Sequence, residues 1–438
     1  MPEIILKNIT KRWGKFVGVN NLNMVINDHA FVTLLGPSGC GKTTTLRMIA
    51  GLETPTSGQI LIDGVPVFDS EKGINVSPDK RNVGFLFQNY ALWPHMTVYQ
   101  NIAFGLENLK WKKEDIKERV HELLVLLKIE EFEKRYPAEL SGGQQQRVAI
   151  ARTLAPKPSV LFMDEPLSNL DAKLRLEMRT ELKRLHKNTN STFVYVTHDQ
   201  LEAMTLATEV CLMNKGVLQQ YAPPLEVYAN PTNKFVADFV GNPTMNFVDA
   251  EIKNVIDSNT LEVEFLGRTA IFKSKDPIDF ETLNTKHEKP EEEQVEEGGK
   301  KKKFNLFKKK DKKEKVEETT PAEETPVENS EETNPVQEEQ IEVVEEPKNP
   351  NLITLGIRPE HIKLGDKGIG VKIYSSLPGG METIIKTIKD DTIITSVEFG
   401  IIDYAVDSDV CIDFTSDAIV CFDRESNISV GLGSLTLK

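Results

Sequence analysis

One short segment of the chain has the residue types and spacing of a phosphate-binding loop. The segment fits the pattern G-x-x-x-x-G-K-[ST] and consists of Gly36, Pro37, Ser38, Gly39, Cys40, Gly41, Lys42 and Thr43. Glycines let backbone N–H groups curl around phosphates, the lysine places a cation on the terminal phosphate oxygens, and the threonine hydroxyl can bind Mg²⁺. The segment follows the apolar run Phe31–Leu35 and precedes a helical pattern. The sequence therefore predicts a strand, a phosphate loop and a helix in succession.

Two adjacent carboxylates follow a second apolar run. Asp164 and Glu165 come after residues 159–163, whose composition is typical of a buried strand. Many strands end in an acidic residue, so the pair alone is a weak signal, but downstream of a phosphate loop it becomes a strong one. We expect Asp164 to be an indirect or water-mediated partner of Mg²⁺ and Glu165 to polarise an attacking water.

A second helix start has the features of an anion site. Ser141 is predicted to cap a helix that continues through residues 145–152, and Gly142 and Gly143 after the cap leave backbone N–H groups accessible. A capped helix with no further role would explain the same residues. Two phosphate-binding helix ends in one chain are better explained if one of them serves the nucleotide of a partner.

The elements that must position these residues alternate along the first 240 residues. A third unbroken apolar run, residues 192–196, resembles the strands already described, and apolar residues recur at helical spacing over 116–127 and 174–185. Strands that alternate with helices indicate an α/β domain with a mainly parallel sheet. We place this domain at residues 1–240.

The pattern changes after about residue 244. Short alternating stretches with turn residues predict a small all-β domain, a sandwich or a barrel, at residues 241–280 and 351–438. These stretches are 260–265, 393–397 and 410–414. Residues 281–350 combine acidic blocks, a lysine block and scattered prolines with few aromatic residues, so we expect a disordered insertion that is dispensable for the chemistry.

Composition excludes several classes of protein. The 438 residues carry a net charge of −14, which argues against a protein held on nucleic acid by a general basic field. No apolar run reaches the roughly 18 residues of a membrane-spanning helix, and the N-terminus lacks the pattern of a signal peptide. The four cysteines show no disulfide or metal-ligand spacing, so reduced thiols are expected.

The motifs and their order resemble the ATP-binding cassette (ABC) family. The phosphate loop, Leu-Ser-Gly-Gly-Gln at 140–144 and the strand that ends in Asp-Glu follow one another as they do in that family. Gln88 resembles its Q-loop, residues 168–171 its D-loop, and His198 its switch histidine. Trp13 stands where the family places an aromatic residue that stacks on adenine. The resemblance covers residues 3 to about 240.

The resemblance implies a site for ATP and Mg²⁺ with named roles. Catalytic roles are implied for Lys42, Gln88, Glu165 and His198, and metal binding for Thr43, Gln88 and Asp164. ATP contacts are implied for Trp13, Gly36, Pro37, Ser38, Gly39, Cys40, Gly41, Lys42, Thr43, Thr44, Ser141, Gly143, Gln144 and Asp171. Ser141, Gly143 and Gln144 would contact the nucleotide on the opposing subunit of a head-to-tail dimer.

Longer matches narrow the resemblance to ATPase subunits of carbohydrate importers of the maltose and glycerol-phosphate type. The matching segments are 89–98, 164–175, 241–247 and 356–362. The implied architecture is a P-loop NTPase core with a helical subdomain, followed by an OB-like regulatory domain. The implied partners are a second copy of the chain or a related ATPase subunit, membrane permease subunits and, indirectly, a solute-binding protein. No nucleic acid partner is expected. The subunit would lie peripherally on the cytoplasmic side of a membrane.

Other functions remain open on the sequence. The nearest alternative is the ATPase subunit of a polyamine or inorganic-ion importer, which shares much of this layout. A soluble ABC ATPase that acts on ribosomes or DNA normally has two cassettes or long coiled coils, and a binding module with dead catalysis is opposed by the intact Lys42, Asp164, Glu165 and His198. Three departures from the family pattern are a short insertion at 68–75, a poorly matching stretch at 375–383 and the insertion at 281–350, which splits the regulatory domain.

Overall fold

The computed structural model describes residues 3–189, 191–284 and 351–438. The strands are β1 (Ile4–Trp13), β2 (Phe16–Ile26), β3 (Phe31–Leu35), β4 (Ser57–Ile62), β5 (Val65–Asp69), β6 (Ile74–Asn75), β7 (Val83–Leu86), β8 (Val160–Asp164), β9 (Thr192–Val196), β10 (Glu209–Asn214), β11 (Val217–Ala222), β12 (Asn246–Asp257), β13 (Thr260–Phe265), β14 (Arg268–Ser274), β15 (Leu352–Ile357), β16 (Ile362–Gly365), β17 (Ile369–Pro378), β18 (Glu382–Lys389), β19 (Thr392–Phe399), β20 (Asp409–Phe414), β21 (Ile419–Asp423) and β22 (Ser429–Leu437). The helices are α1 (Lys42–Ala50), α2 (Val98–Asn108), α3 (Lys113–Leu127), α4 (Gly142–Leu154), α5 (Ala172–Asn188), α6 (Gln200–Leu206), α7 (Pro224–Ala229), α8 (Lys234–Phe239) and α9 (Phe280–Asn284).

A six-stranded sheet with the order β11-β10-β3-β9-β8-β7 carries the predicted site. Its five strands from β10 to β7 are parallel, and every residue of β3, β8 and β9 is buried. Alternate side chains of β8 enter two different cores. Leu161 and Met163 pack with helices α2, α3, α4 and α5, whereas Val160 and Phe162 pack with α1 and the antiparallel strands. Burial on both faces explains why these strands read as unbroken apolar runs.

The order of the strands brings the predicted motifs to one edge. The phosphate loop follows β3, Glu165 follows β8, and His198 lies two residues after β9, which pairs with both of the others. The carboxyl ends of parallel strands meet at the same edge of a sheet, where α/β proteins bind their ligands. The α/β prediction is confirmed.

A second, antiparallel sheet of order β2-β1-β4-β5-β6 contains the predicted insertion at 68–75. The insertion forms the hairpin between β5 and β6. Arg81, which is buried, ties this hairpin to the phosphate-loop helix, because its guanidinium donates to the carbonyls of Met48 (3.0 Å), Ile49 (2.8 Å) and Val76 (2.8 Å). A cation at the last carbonyls of α1 also complements the helix dipole.

The C-terminal residues form an all-β region, as predicted. β12, β13, β14, β22, β21 and β15 make a closed antiparallel barrel, which is consistent with the OB-like expectation, and β16, β20, β17, β18 and β19 form a further sheet. Asn246 joins the two, since its amide donates to the carbonyls of Ile357 and Thr395 and accepts from the Thr395 N–H. The poorly matching stretch at 375–383 is the hairpin between β17 and β18.

A buried arginine holds the barrel against the end of the preceding part of the chain. Arg358 donates to the carbonyls of Tyr228 (2.8 Å), Ala237 (3.1 Å) and Val240, and its guanidinium lies 4.1 Å from the centre of the Tyr228 ring. The Tyr228 hydroxyl donates to Glu360 at 2.6 Å. These contacts satisfy the last carbonyls of α7 and α8, which would otherwise lack donors.

The predicted insertion at 281–350 requires one correction at its start. Residues 281–284 belong to α9, because Asp279 accepts from the Thr282 N–H (3.0 Å) and Leu283 packs against the barrel core. The rest of the predicted insertion lies outside the described residues. Within the described ranges, no helix is long and apolar enough to cross a membrane.

Candidate active site

The phosphate loop has the backbone that its glycines predict. Gly36 and Gly41 adopt φ values of 145° and 101°, and a Cβ at these positions would lie 2.2 Å from the Met213 carbonyl oxygen and 2.5 Å from the Gly18 carbonyl oxygen. Only glycine fits both the conformation and the space. Lys42 is buried, and its Nζ donates to the carbonyls of Gly36 (2.7 Å) and Pro37 (2.9 Å).

A cavity of about 320 Å³ lies over this loop and the start of α1. It is lined by Trp13, Phe16, Gly18, Ser38, Gly39, Cys40, Gly41, Lys42, Thr43, Thr44 and Glu165. Of the predicted ATP contacts that were not assigned to the opposing subunit, Gly36, Pro37 and Asp171 are absent from this lining. The carbonyls of Gly36 and Pro37 accept hydrogen bonds from Lys42. Burial raises the pKa of the Cys40 thiol, which favours its role as a small, tolerated residue over a reactive one.

Two aromatic rings on either side of the turn between β1 and β2 form one wall of the cavity. Trp13 and Phe16 stack with their centres 6.1 Å apart and their planes 22° apart, and Lys11 Nζ lies 5.2 Å from the Trp13 ring centre. Gly18 makes room for this arrangement, because a Cβ there would lie 2.3 Å from Trp13 Cζ3. Phe16 and Gly18 line the cavity but were not predicted from the sequence. The sequence did contain one indication of Phe16, since it is a second aromatic residue only three positions after Trp13.

Thr43 and Asp164 form an oxygen-rich pair beside the cavity. Thr43 Oγ1 donates to Asp164 Oδ1 at 2.8 Å, and Arg47 Nη2 donates to Asp164 Oδ2 at 3.3 Å. Hydroxyl and carboxylate oxygens are the ligands that Mg²⁺ prefers, so the residues present fit this ion. Arg47 was not predicted; it lies one helical turn after Thr43, on the same face of α1.

Glu165 and His198 face each other at the next strand ends. His198 Nδ1 lies 3.4 Å from Glu165 Oε2, with Glu165 lining the cavity and His198 more exposed. Glu165 has a φ of 45°, its N–H donates to the Val196 carbonyl at 3.2 Å, and its carbonyl accepts from the Ser168 hydroxyl at 2.9 Å. A left-handed glutamate is a strained conformation of the kind that clusters at functional sites.

Comparison with known proteins decides the family. The sequence profile described as "ABC transporter" matches residues 19–168. The chain is 54% identical over 250 residues to the trehalose/maltose import ATP-binding protein of Thermococcus litoralis, covering 57% of this chain and 67% of that protein. It is 49% identical over 255 residues to the sn-glycerol-3-phosphate import ATP-binding protein of Psychromonas ingrahamii, covering 58% and 67%. It is 47% identical over 274 residues to the maltose/maltodextrin import ATP-binding protein of Escherichia coli, covering 62% and 72%.

The chain belongs to the ATP-binding subunits of ABC transporters. The predicted family, fold class and enzyme class, an ABC-type ATPase that binds ATP, are therefore confirmed. The individual residue roles implied by the resemblance remain predictions.

The Q-loop glutamine of this ABC subunit contacts the D-loop. Gln88 Nε2 donates to Ser168 Oγ at 3.3 Å, and Asn169 Nδ2 donates to the Gln88 carbonyl at 3.4 Å. The predicted binding of Mg²⁺ by Gln88 thus involves a side chain whose amide is engaged with Ser168 in this structure.

The signature residues lie apart from the cavity of their own chain. Ser141 caps α4 by accepting from the Gln144 N–H (3.5 Å), while Gln144 Oε1 accepts from the Ser141 N–H (2.9 Å). Gly143 is buried against α5, since a Cβ there would lie 2.7 Å from Leu174. Asp171 caps α5 by accepting from the Leu174 N–H at 3.0 Å. Neither the signature residues nor Asp171 line the cavity over the phosphate loop.

A buried polar network behind His198 was also missed from the sequence. The Glu202 carboxylate accepts from the hydroxyls of Tyr195 (2.8 Å) and Thr197 (2.7 Å), and the Thr197 hydroxyl accepts from the Asp199 N–H (2.9 Å). Burial raises the pKa of Glu202, and the two hydroxyl donors oppose that shift. Its signal in the sequence was weak, because an acidic residue in the first turn of a helix is ordinary.

Proposed function

We propose that this ABC subunit hydrolyses ATP to drive the import of a carbohydrate or a glycerol-phosphate-like solute. The proposed hydrolysis is supported mainly by one observation. Glu165 and His198 face each other at the edge of a cavity that the phosphate loop lines. The solute class is supported by the relatives, which are import proteins for trehalose, maltose, maltodextrin and sn-glycerol 3-phosphate.

The chain's own residues supply binding and orientation. The loop N–H groups and the start of α1 hold the phosphates, and Lys42 exchanges its two carbonyl partners for phosphate oxygens. Mg²⁺, which Thr43, Asp164 and Gln88 would hold, supplies positive charge to the phosphate oxygens. Trp13 and Phe16 offer a stacking surface to the base.

Glu165 and His198 carry the chemical step in this proposal. Glu165 polarises the attacking water and receives its proton, and His198 orients the Glu165 carboxylate from 3.4 Å while its other ring nitrogen remains available to the γ-phosphate. No covalent intermediate is required, because positioning and electrostatic stabilisation lower the barrier to phosphoryl transfer.

A head-to-tail dimer would complete the site. Ser141 and Gln144 are at the accessible N-terminus of α4, a 13-residue helix, yet they do not line the cavity of their own chain. A second copy with the opposite orientation would place these N–H groups against the γ-phosphate of the first. Asp171, exposed at the start of α5, is placed to face the same interface.

Permease subunits would dock on the segment after Gln88. This segment is held from within: Arg152 of the signature helix donates to the carbonyls of Tyr90 and Ala91, each at 2.7 Å, and Asn101 binds both the N–H and the carbonyl of Trp93. Its geometry is therefore tied to the position of α4. Such docking would hold the subunit peripherally on the cytoplasmic side of a membrane, with a solute-binding protein acting through the permease.

Removal of the Glu165 carboxylate tests the hydrolytic role. Glu165→Gln should bind ATP normally but lower the turnover by roughly 10²-fold or more, because the water loses its base. Glu177→Gln, on an exposed position of α5, is the matched control and should hydrolyse ATP at the wild-type rate. Near-normal turnover by Glu165→Gln would refute the assignment.

The solute class needs a separate experiment. Cells that express the complete transporter should take up labelled maltose or glycerol 3-phosphate, and the uptake should stop with Glu165→Gln. Uptake of spermidine in place of both would establish the polyamine alternative.

A further inference from the structure

Three charged side chains form a cluster behind His198, away from the phosphate loop. Arg175 lies in the first turn of α5, whereas Asp199 and Glu202 lie at the start of α6. Arg175 Nη1 is 3.5 Å from Asp199 Oδ2, and Arg175 Nε is 3.8 Å from Glu202 Oε1. Glu202 is 4% exposed, so its charge is largely removed from water.

On one side the cluster defines the turn that carries His198. The two neighbours of this histidine in the chain, Thr197 and Asp199, are both bound into the cluster: the Thr197 hydroxyl donates to Glu202 and accepts from the Asp199 N–H. Asp199 Oδ1 in turn accepts from the Glu202 N–H at 3.1 Å. The backbone around His198 therefore follows the position of the Glu202 carboxylate.

On the other side the cluster holds the D-loop. Arg175 Nη2 donates to the carbonyl of Leu170 at 3.1 Å, immediately before Asp171, the cap of α5. One guanidinium thus contacts the D-loop, the residue after His198 and the buried Glu202.

The contacts of Arg175 with the two carboxylates are loose. Its buried Nε has no hydrogen-bond acceptor among the described residues, and Glu202 Oε1 at 3.8 Å is beyond hydrogen-bond distance. A small cavity of about 10 Å³ separates the cluster from the catalytic pair and is lined by Glu165, Ser168, Arg175, Thr197, His198, Asp199 and Glu202. A shift of α5 by less than 1 Å would turn the Arg175–Glu202 contact into a charge-assisted hydrogen bond.

We propose that Arg175, Asp199 and Glu202 are positioning residues that couple the D-loop to His198. Contact with a partner subunit displaces residues 168–171 and with them Arg175. The guanidinium of Arg175 then attracts the carboxylates of Asp199 and Glu202. The turn that carries His198 moves with these two residues. This inference rests on the proposed hydrolytic role of His198, and it assigns to these residues the transmission of the partner's position to the catalytic histidine.

Kinetics and a spectroscopic readout test the coupling together. Glu202→Gln keeps the shape of the side chain and removes its charge, and Arg175→Met removes the guanidinium. Each should lower kcat for ATP roughly tenfold or more, with KM changed less than about threefold, because a small misplacement of a catalytic group is costly while the phosphate loop is untouched. The double variant should lose no more activity than the worse single variant, since both act through one contact.

The matched control is Lys183→Met. Lys183 Nζ donates to the Thr205 carbonyl at 2.8 Å and joins the same two helices, eight residues after Arg175 in α5 and near the C-terminal end of α6. It should leave kcat unchanged. Arg175→Lys, which keeps the charge without the planar fork, should retain an intermediate kcat and guards against misfolding of Arg175→Met.

The His198 ring reports the coupling without turnover. In ¹⁵N-histidine-labelled protein without nucleotide, the ring resonances of His198 should shift in Glu202→Gln and Arg175→Met and stay in place in Lys183→Met. Unchanged His198 resonances in both cluster variants, or additive losses of kcat in the double variant, would overturn the proposal. Absence of ATPase activity in the wild-type chain would instead refute the proposed function and leave the ring measurement interpretable.

Discussion

A single methyl group at Gly18 should displace the aromatic wall of the nucleotide cavity. In Gly18→Ala the new Cβ would lie 2.3 Å from Trp13 Cζ3, about 1 Å inside the closest ordinary carbon contact. The backbone of Gly18 is extended within β2, so the alanine itself is conformationally acceptable. The Trp13 ring, which is 44% exposed and at the end of a rotatable side chain, must therefore move away.

The size of the effect follows from what the ring does. Stacking of a base on an aromatic side chain contributes about 1–3 kcal/mol, or about 5- to 150-fold in Kd. Because Trp13 is only half-buried, the lower half of this range applies, and both Trp13→Ala and Gly18→Ala should weaken ADP binding about tenfold. The stability of the fold should change little, since the clash is relieved toward solvent.

Calorimetric titration with ADP distinguishes this explanation from a general loss of structure. The double variant Trp13→Ala/Gly18→Ala should bind as weakly as Trp13→Ala alone, because the methyl group acts only through the ring. Gly370→Ala in β17, where a Cβ meets nothing within 4 Å, is the control and should bind ADP normally. Wild-type affinity in Gly18→Ala, or additive losses in the double variant, would show that the Trp13 ring does not stack on the base.

Three further predictions follow from contacts described above. Lys42→Ala should lose ATP binding, whereas Ser141→Arg should bind ATP as a monomer and lose hydrolysis. A mixture of the two variants should recover some ATPase activity. A Ser141→Arg monomer that binds no nucleotide would exclude the cross-subunit role. Arg358→Met removes the donor of three carbonyls and should lower the unfolding free energy measured in urea by about 3 kcal/mol; a change below about 1 kcal/mol would contradict this. Burial raises the pKa of Glu202 above its usual 4.5. Just above pH 4.5 the folded wild-type protein therefore keeps a proton on Glu202 that the unfolded chain releases. The stability of the wild type relative to Glu202→Gln should consequently fall as pH rises above about 4.5. Melting curves of both proteins between pH 4.5 and 7 measure this, and parallel curves would refute it.

The sequence was informative wherever a function is carried by consecutive residues. The phosphate loop, the Asp164–Glu165 pair and the Ser141 cap each occupy one short segment, and the strand runs before them are apolar because both faces of the central sheet are covered. The position of His198 followed from the same sheet, since it extends a strand adjacent to the one that carries Glu165.

The sequence was silent where a contact joins distant segments. Arg47 reaches Asp164 across 117 residues, and Arg358 reaches Tyr228 across 130 residues, so neither pair has a local pattern that could reveal it. The place of Gly18 under the Trp13 ring depends on the register of β1 with β2, which contains shifts that alternation of apolar residues does not encode. The start of the predicted insertion was misplaced because four residues of α9 share its polar composition.

Closure of the C-terminal barrel has a consequence for the order in which the chain acquires its structure during synthesis. The last strand, β22, pairs with both β14 and β21, so the barrel cannot close until Ser429–Leu437 has left the ribosome. The strands and helices of the nucleotide site are complete about 200 residues earlier, and domains generally fold as units from the N-terminus. A nascent chain can therefore have a folded phosphate loop before the barrel that contains Arg358 has closed. A premature stop codon that removes β22 would leave the ATP site intact but expose β14 and β21 as unpaired sheet edges.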